Sequence, residues 1–198
     1  MENILISTIH DAEPLMISIT KFSPKKVILL TEDNESDVIR ETRETLSNVF
    51  GRFIDIEFKE INNKDIVKIG IEVSEVIDKE KDSGNRIVLN ISSSIEPQIL
   101  GILFGSYTKH QFVDRIFYVD LEDNEIVDLP ILRFGISKTK KEVLLNIIEG
   151  NNSVKKLSEA VGISRGMAYN HIRELRDMGL IKKDSFEITS AGELAIIN

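Results

Sequence analysis

The sequence predicts an α/β chain: a doubly wound, mainly parallel sheet followed by a carboxy-terminal winged helix-turn-helix domain. Three observations predict it. Short apolar, β-branched runs alternate with helically spaced segments from Asn3 to Pro130. Residues 153–183 carry, in order, a capping serine, an apolar helical face, a turn glycine, a second capping serine and a second apolar face. The charge is also divided between these two parts. Residues 1–135 hold 15 Lys and Arg against 25 Asp and Glu, whereas residues 136–198 hold 10 against 8. The net charge of −8 therefore belongs to the first part, and the second is slightly basic.

The elements follow in order. Residues 3–8 (NILIST) form a buried strand, and residues 11–22 a helix with Leu15, Ile19 and Phe22 on one face. Residues 27–32 (VILLTE) form a second strand. Residues 35–50 form an exposed helix with Val38, Leu46, Val49 and Phe50 inward, ended by Gly51. Residues 53–61 (FIDIEFKEI) alternate in polarity, as a strand with one wetter face does. A long helix spans 65–82 and stops at Ser83-Gly84. The strand at 86–92 (RIVLNIS) precedes an apolar helix at 96–107, and the segments at 115–121 and 125–130 flank Glu122-Asp123-Asn124 as a hairpin. Strands separated by helices of this length form right-handed βαβ units. The resulting order is Rossmann-like, 3-2-1-4, with the hairpin on one edge.

A further helix at 139–149, with Val143, Leu144 and Ile147 apolar, opens the second domain. Ser153 then caps a helix whose apolar face is Val154, Leu157 and Ala160, and Gly162 turns the chain. Ser164 caps the next helix, which packs through Ala168, Ile172 and Leu175. Arg165, Gly166, Tyr169, Asn170 and Arg173 are left pointing outward. Guanidinium groups bond guanine edges and phosphates, and a carboxamide bonds adenine, so these residue types suit a DNA reader. Residues 178–189 suit a two-stranded wing tipped near Asp184 and Ser185, and 190–197 a short closing helix. Lys182 and Lys183, with Lys155 and Lys156, extend the basic face. The expected boundaries are 1–132 for the sheet domain, 133–138 for a linker and 139–198 for the winged helix-turn-helix.

Composition excludes several classes. Without cysteine, disulfides, thiol nucleophiles and cysteine-ligated metals are impossible. No apolar run spans a bilayer, and MENILIS lacks the basic region and cleavage site of a signal peptide, so a cytoplasmic protein without membrane contact is expected. No His, Asp and Glu cluster has metal-ligand spacing, and no metal or bound cofactor is expected.

In a doubly wound sheet the ligand crevice lies beyond the carboxyl ends of the strands where the order reverses. Two loops meet that rule. One contains Ser7, Thr8 and His10; the other contains Asn90, Ser92, Ser93 and Ser94. Both lead into helix amino termini, which favour anions. Neither GxGxxG nor GxxxxGK[ST] is present, which disfavours a nicotinamide dehydrogenase and a phosphate-loop hydrolase. A serine here caps a helix in the simplest reading; the cluster with Asn90 instead suits hydroxyl groups, base edges or phosphates.

The run Asn90-Ile91-Ser92-Ser93-Ser94-Ile95-Glu96 after the fourth strand resembles the Asn-x-Thr-Gly-Gly-Thr-Lys motif of CRISPR-associated Rossmann fold (CARF) proteins. With the carboxy-terminal winged helix, the architecture resembles the archaeal Csa-type CARF regulators of CRISPR loci. Asn90 and Ser92 match the motif; Ser93 and Ser94 stand where the family has glycines, and Glu96 where it has a basic residue. The resemblance implies a homodimeric transcriptional regulator of antiviral defence. It would bind double-stranded DNA and sense a cyclic oligoadenylate, usually cyclic tetra-adenylate, through Ser7, Thr8, His10, Asn90 and Ser92 to Ser94. The DNA contacts would come from Arg165, Tyr169, Asn170, Arg173, Lys182 and Lys183. Two alternatives stay open: a ring nuclease that cleaves cyclic oligoadenylate, and a regulator sensing an unrelated metabolite. No catalytic residue is assigned. Arg165 and His171 fit the Arg-x4-6-His spacing of HEPN ribonucleases, but that pair belongs to a much larger all-helical domain, and the match is a coincidence of the second helix.

Overall fold

The computed structural model of the chain describes residues 2–9, 11–32, 36–62, 64–81, 84–92, 96–132 and 135–197. The chain divides into two compact units, Met1–Arg133 and Phe134–Asn198.

The first unit holds one six-stranded sheet in the order β3-β2-β1-β4-β5-β6. Its strands are β1 (Asn3–Thr8), β2 (Lys26–Thr31), β3 (Asp55–Glu60), β4 (Arg86–Asn90), β5 (Val113–Asp120) and β6 (Glu125–Leu129). Strands β1 to β5 run parallel, and β6 returns antiparallel on the edge. The hairpin turn places Asn124 at φ 60, which asparagine tolerates better than most residues.

Alternation along the central strands divides the core between the two faces. Leu5, Val27, Leu29, Val88 and Phe117 pack against α1 (Ala12–Phe22) and α2 (Asp37–Phe50). Ile4, Ile6, Ile28, Leu30, Ile87 and Leu89 pack against α3 (Ile66–Glu80) and α4 (Glu96–Thr108). Strands apolar on both faces are what a parallel sheet covered on both sides requires.

Three sequence expectations are corrected here. Val38 and Val49 are exposed at 51% and 47%, and α2 instead buries Ile39, Thr42 and Leu46. Its inward stripe is narrow because the helix flanks the β3 edge, where the sheet offers less surface. Phe53 lies before β3 and is 83% exposed, because residues 51–54 form turns that start the strand only at Asp55.

The second unit comprises α5 (Lys138–Ile148), α6 (Val154–Val161), α7 (Arg165–Asp177) and α8 (Ser190–Ile196). Its core joins Val143, Leu144, Ile147, Leu157, Ile172, Leu175, Leu180 and Ile181. Ala160, expected inside, is exposed; Leu157 and Ser158 are the buried residues of α6. An eight-residue helix has room for little more than one inward pair per turn, and Ala160 falls on the far side. The wing is reduced to a single antiparallel bridge, Ile181 to Ile188, extended by Lys182 N–H donating to Glu187 O at 2.8 Å.

Candidate functional site

At the switch point of the sheet, Ser7 and Asn90 are register partners on β1 and β4. Both side chains lie on the face covered by α1, and both are buried, Asn90 completely. The Ser7 hydroxyl donates to Thr8 O at 2.9 Å. Thr8, also buried, points to the opposite face by strand alternation. Asn90 Oδ1 accepts from the Ser92 N–H at 3.0 Å, an Asx turn that ends β4, and also from the Ser92 hydroxyl. Ser92 Oγ in turn accepts from the Val119 N–H of β5 at 2.7 Å. Asn90 and Ser92 thus form one hydrogen-bonded unit that fixes where the chain leaves the sheet.

The other half of the Asn90 carboxamide is not used. Its Nδ2 is buried and has no hydrogen-bond partner. A buried donor left unpaired costs about 1–3 kcal/mol, which a group binding at that point recovers. His10, Ser93 and Ser94, the remaining predicted ligand residues, lie outside the described residues.

Sequence reasoning missed a second pair at this end of the sheet. Glu32 follows β2, and the buried Gln98 sits in the first turn of α4; Gln98 Nε2 donates to Glu32 Oε1 at 3.1 Å. The switch-point rule could have found Glu32 had it been extended one strand outward. Among the described residues no group of His, Asp and Glu could hold a metal ion. No helix among them is long and apolar enough to cross a membrane.

In the second unit the two helices of the helix-turn-helix start at the serines the sequence nominated, Ser153 and Ser164, and α5 starts at Ser137, which it did not nominate. Ser137, Ser153 and Ser164 accept from the N–H groups of Lys140, Lys156 and Met167. Such caps stabilise by about 1 kcal/mol each. Gly162 adopts φ 73, closing α6 in the left-handed conformation. The turn therefore presents α7 with Ala168, Ile172 and Leu175 inward, while Arg165, Tyr169, Asn170 and Arg173 are exposed along its outer face. Lys183 is exposed on the wing, whereas Lys182 pairs with Glu187. Lys140 of α5 binds Glu174 of α7 at 3.0 Å, and this hydrogen bond holds the Glu174 carboxyl below its ordinary range. His171, half-buried beside Glu174, is part of this packing.

A cleft of about 370 Å³ runs beside α7, lined by Tyr169, Ile172, Arg173, Arg176, Asp177 and Lys183. Arg176 was not among the residues the sequence nominated. It falls on the inner shoulder of α7, where spacing alone suggests a surface arginine near a helix end.

Residues 137–183 match the family described as bacterial regulatory protein, arsR family. This segment is an ArsR-type helix-turn-helix. The ArsR-type unit is thus the carboxy-terminal part of a chain whose remaining fold is Rossmann-like. No curated protein matches the sequence. Protein VC1899 from Vibrio cholerae is similar in structure, with a TM-score of 0.51 and 16% identity. That likeness covers 75% of this chain and 44% of VC1899, and it shows a shared fold. Can2 from Sulfobacillus thermosulfidooxidans, solved in complex with cyclic tetra-adenylate, aligns over 100% of this chain and 63% of its own at 18% identity and a TM-score of 0.48. A type III CRISPR defence DNA nuclease activated by cyclic oligoadenylate aligns over 86% of this chain and 33% of its own at 14% identity and 0.46. TM-scores below 0.5 are too low to support an inference. The chain spans less than two thirds of the length of each. A Rossmann-like α/β sheet joined to a helix-turn-helix is the architecture that the sequence predicted.

Proposed function

We propose that the protein is a ligand-responsive, homodimeric DNA-binding transcriptional regulator of a CRISPR locus. Its α/β unit senses a cyclic oligoadenylate, cyclic tetra-adenylate in the first instance. The observation that carries the DNA-binding reading is the outer face of α7. On an ArsR-type helix-turn-helix, Arg165, Tyr169, Asn170 and Arg173 are all exposed on the helix that enters the major groove in this kind of module. The sensing half is supported by the switch-point position of Asn90 and Ser92, which match the CARF motif, and by the unpaired buried Nδ2 of Asn90. A ring of adenylates presents base edges, ribose hydroxyls and phosphates, all of which can accept from such a donor.

Gel-shift titration against duplexes from the protein's own locus tests the reading. Specific binding that weakens steeply with salt is expected, and Arg173→Ala should abolish the preference among sequences. Absence of duplex binding at low salt, with and without cyclic tetra-adenylate, would reject it. Incubating the protein with labelled cyclic tetra-adenylate separates sensing from cleavage: a regulator returns the ring intact.

A further inference from the structure

His171 lies on α7 between Asn170, exposed on the outer face, and Ile172, buried in the core. Its Nδ1 is buried and has no hydrogen-bond partner. The Glu174 carboxylate lies one turn on, with Oε2 3.8 Å from that nitrogen. The same oxygen takes the ammonium group of Lys140, from α5, at 3.0 Å. That hydrogen bond keeps Glu174 ionised wherever an imidazole titrates, and Arg173 adds to it from the same helix. Among the described residues no ion pair reaches α7 from α6, α8 or the wing. A neutral imidazole carries one N–H, and only the imidazolium donates from both nitrogens. Water has access to the ring, whose side chain is 21% exposed, so a proton can enter without the helix opening. Of the residue types on α7, histidine alone changes charge in the neutral range.

We propose that His171 is a proton-linked switch of the reader: duplex is bound with His171 as imidazolium paired to Glu174, and released as the ring loses its proton. The inference rests on the DNA-binding reading and adds a regulation to it. Two effects act in one direction. The imidazolium adds a positive charge to the helix that meets DNA, and it masks Glu174, whose carboxylate otherwise repels phosphate. The phosphates in turn favour the charged ring. A proton held more tightly in the complex than in the free protein strengthens binding as pH falls. That gain is complete below the free-state value and is lost as pH rises through the bound-state value.

The experiment measures duplex affinity at one salt concentration across about pH 5–8, for the full-length wild type, His171→Gln and Glu174→Gln. Melting temperatures confirm that each is folded at each pH. The wild type should bind about fivefold or more tightly at the acid end, with log affinity falling by no more than about one per pH unit. His171→Gln should be flat, near the alkaline affinity of the wild type. Glu174→Gln should bind more tightly than the wild type at the alkaline end and respond less to pH, because there is no carboxylate left to mask. A wild type that binds equally at every pH overturns the switch and leaves the regulator reading intact. A slope that survives in His171→Gln assigns the proton to another group, such as His10 or His110, and overturns it as well. If the wild type binds no duplex at any pH, both readings fall.

A second measurement needs no mutant. The ring nitrogens of His171 in the wild type, assigned through its backbone in nitrogen-15 spectra, report its protonation directly. Their titration midpoint should move to higher pH when duplex is added to saturation. A midpoint that stays where it was, or moves to lower pH, overturns the proposal.

Discussion

Asn90 is asked to do two things with one carboxamide, and the two can be separated by substitution. Its oxygen organises Ser92, and through Ser92 the backbone of Val119; its nitrogen is the unpaired donor. Asn90→Asp keeps acceptors for Ser92 but replaces the donor with a charged oxygen. A carboxylate there repels phosphate and cannot donate. The expected outcome is a folded protein whose melting temperature no longer rises with cyclic tetra-adenylate, where the wild type shows a clear shift. An equal shift in Asn90→Asp would place the ligand elsewhere. Asn90 was legible in the sequence because strand order and motif converge on one position. Val38 and Val49 were misread for the opposite reason: a valine at helical spacing indicates a face but not whether the sheet extends far enough to cover it. Arg176 was invisible because its partners are Ser185 and Phe186, brought to it by the wing.

The pair α3 and α4 shows how closely the frame behind the site is built. A Cβ added at Gly105 would lie 2.5 Å from the carbonyl oxygen of Gly70, and one at Gly101 would lie 2.5 Å from the Ile69 side chain. The helices therefore touch backbone to backbone, which glycine alone permits. Gly105→Ala gains up to ~1 kcal/mol of helix propensity but meets backbone that cannot yield, so a net loss of about 1–3 kcal/mol is expected in urea unfolding. Unchanged stability would mean that the helices separate freely. That α4 is an apolar helix was legible, since Pro97 to Thr108 contains no charged residue. The sequence could not reveal the glycine contact, because that depends on which helix lies alongside. The helix-turn-helix was the most legible part: caps, turn glycine and apolar faces are local signals, and Ser153, Ser164 and Gly162 took their expected places. The wing was legible only in position. Its pairing is one bridge, because the segment between Ile181 and Ile188 is largely occupied by the turn.

Charge acts on the protein as a whole in two ways, through stability and through linkage. Burial opposes the charged form of Asp78, but Lys109 at 2.7 Å and Lys81 at 2.9 Å outweigh it, and its pKa is lowered. The hydrogen bonds from Arg115 lower that of Asp128 likewise. A carboxyl depressed in the folded state adds stability above its unfolded value, here about 3.8, and loses it as pH falls through the folded value. Stability should therefore hold flat from neutrality to about pH 4 on account of these groups and fall below it. Asp78→Asn should be less stable near neutrality, with a smaller further loss in acid; an unaltered acid limb would remove Asp78 from this role. Linkage gives the final prediction. If cyclic tetra-adenylate changes the affinity for DNA by some factor, DNA must change the affinity for cyclic tetra-adenylate by the same factor, because both routes join the same free and doubly bound states. Couplings of this kind are typically ~1–3 kcal/mol, or about 5- to 150-fold. The test measures ligand affinity with and without saturating duplex, and duplex affinity with and without saturating ligand, at one salt concentration. Equal factors in the two directions, both vanishing in Asn90→Asp, are the expected result. Factors of one in both directions, with each partner still binding, would leave the α/β unit and the ArsR-type unit as independent binders and remove sensing from the proposed function. A coupling that persists in Asn90→Asp would keep the regulator but move its effector away from the ends of β1 and β4.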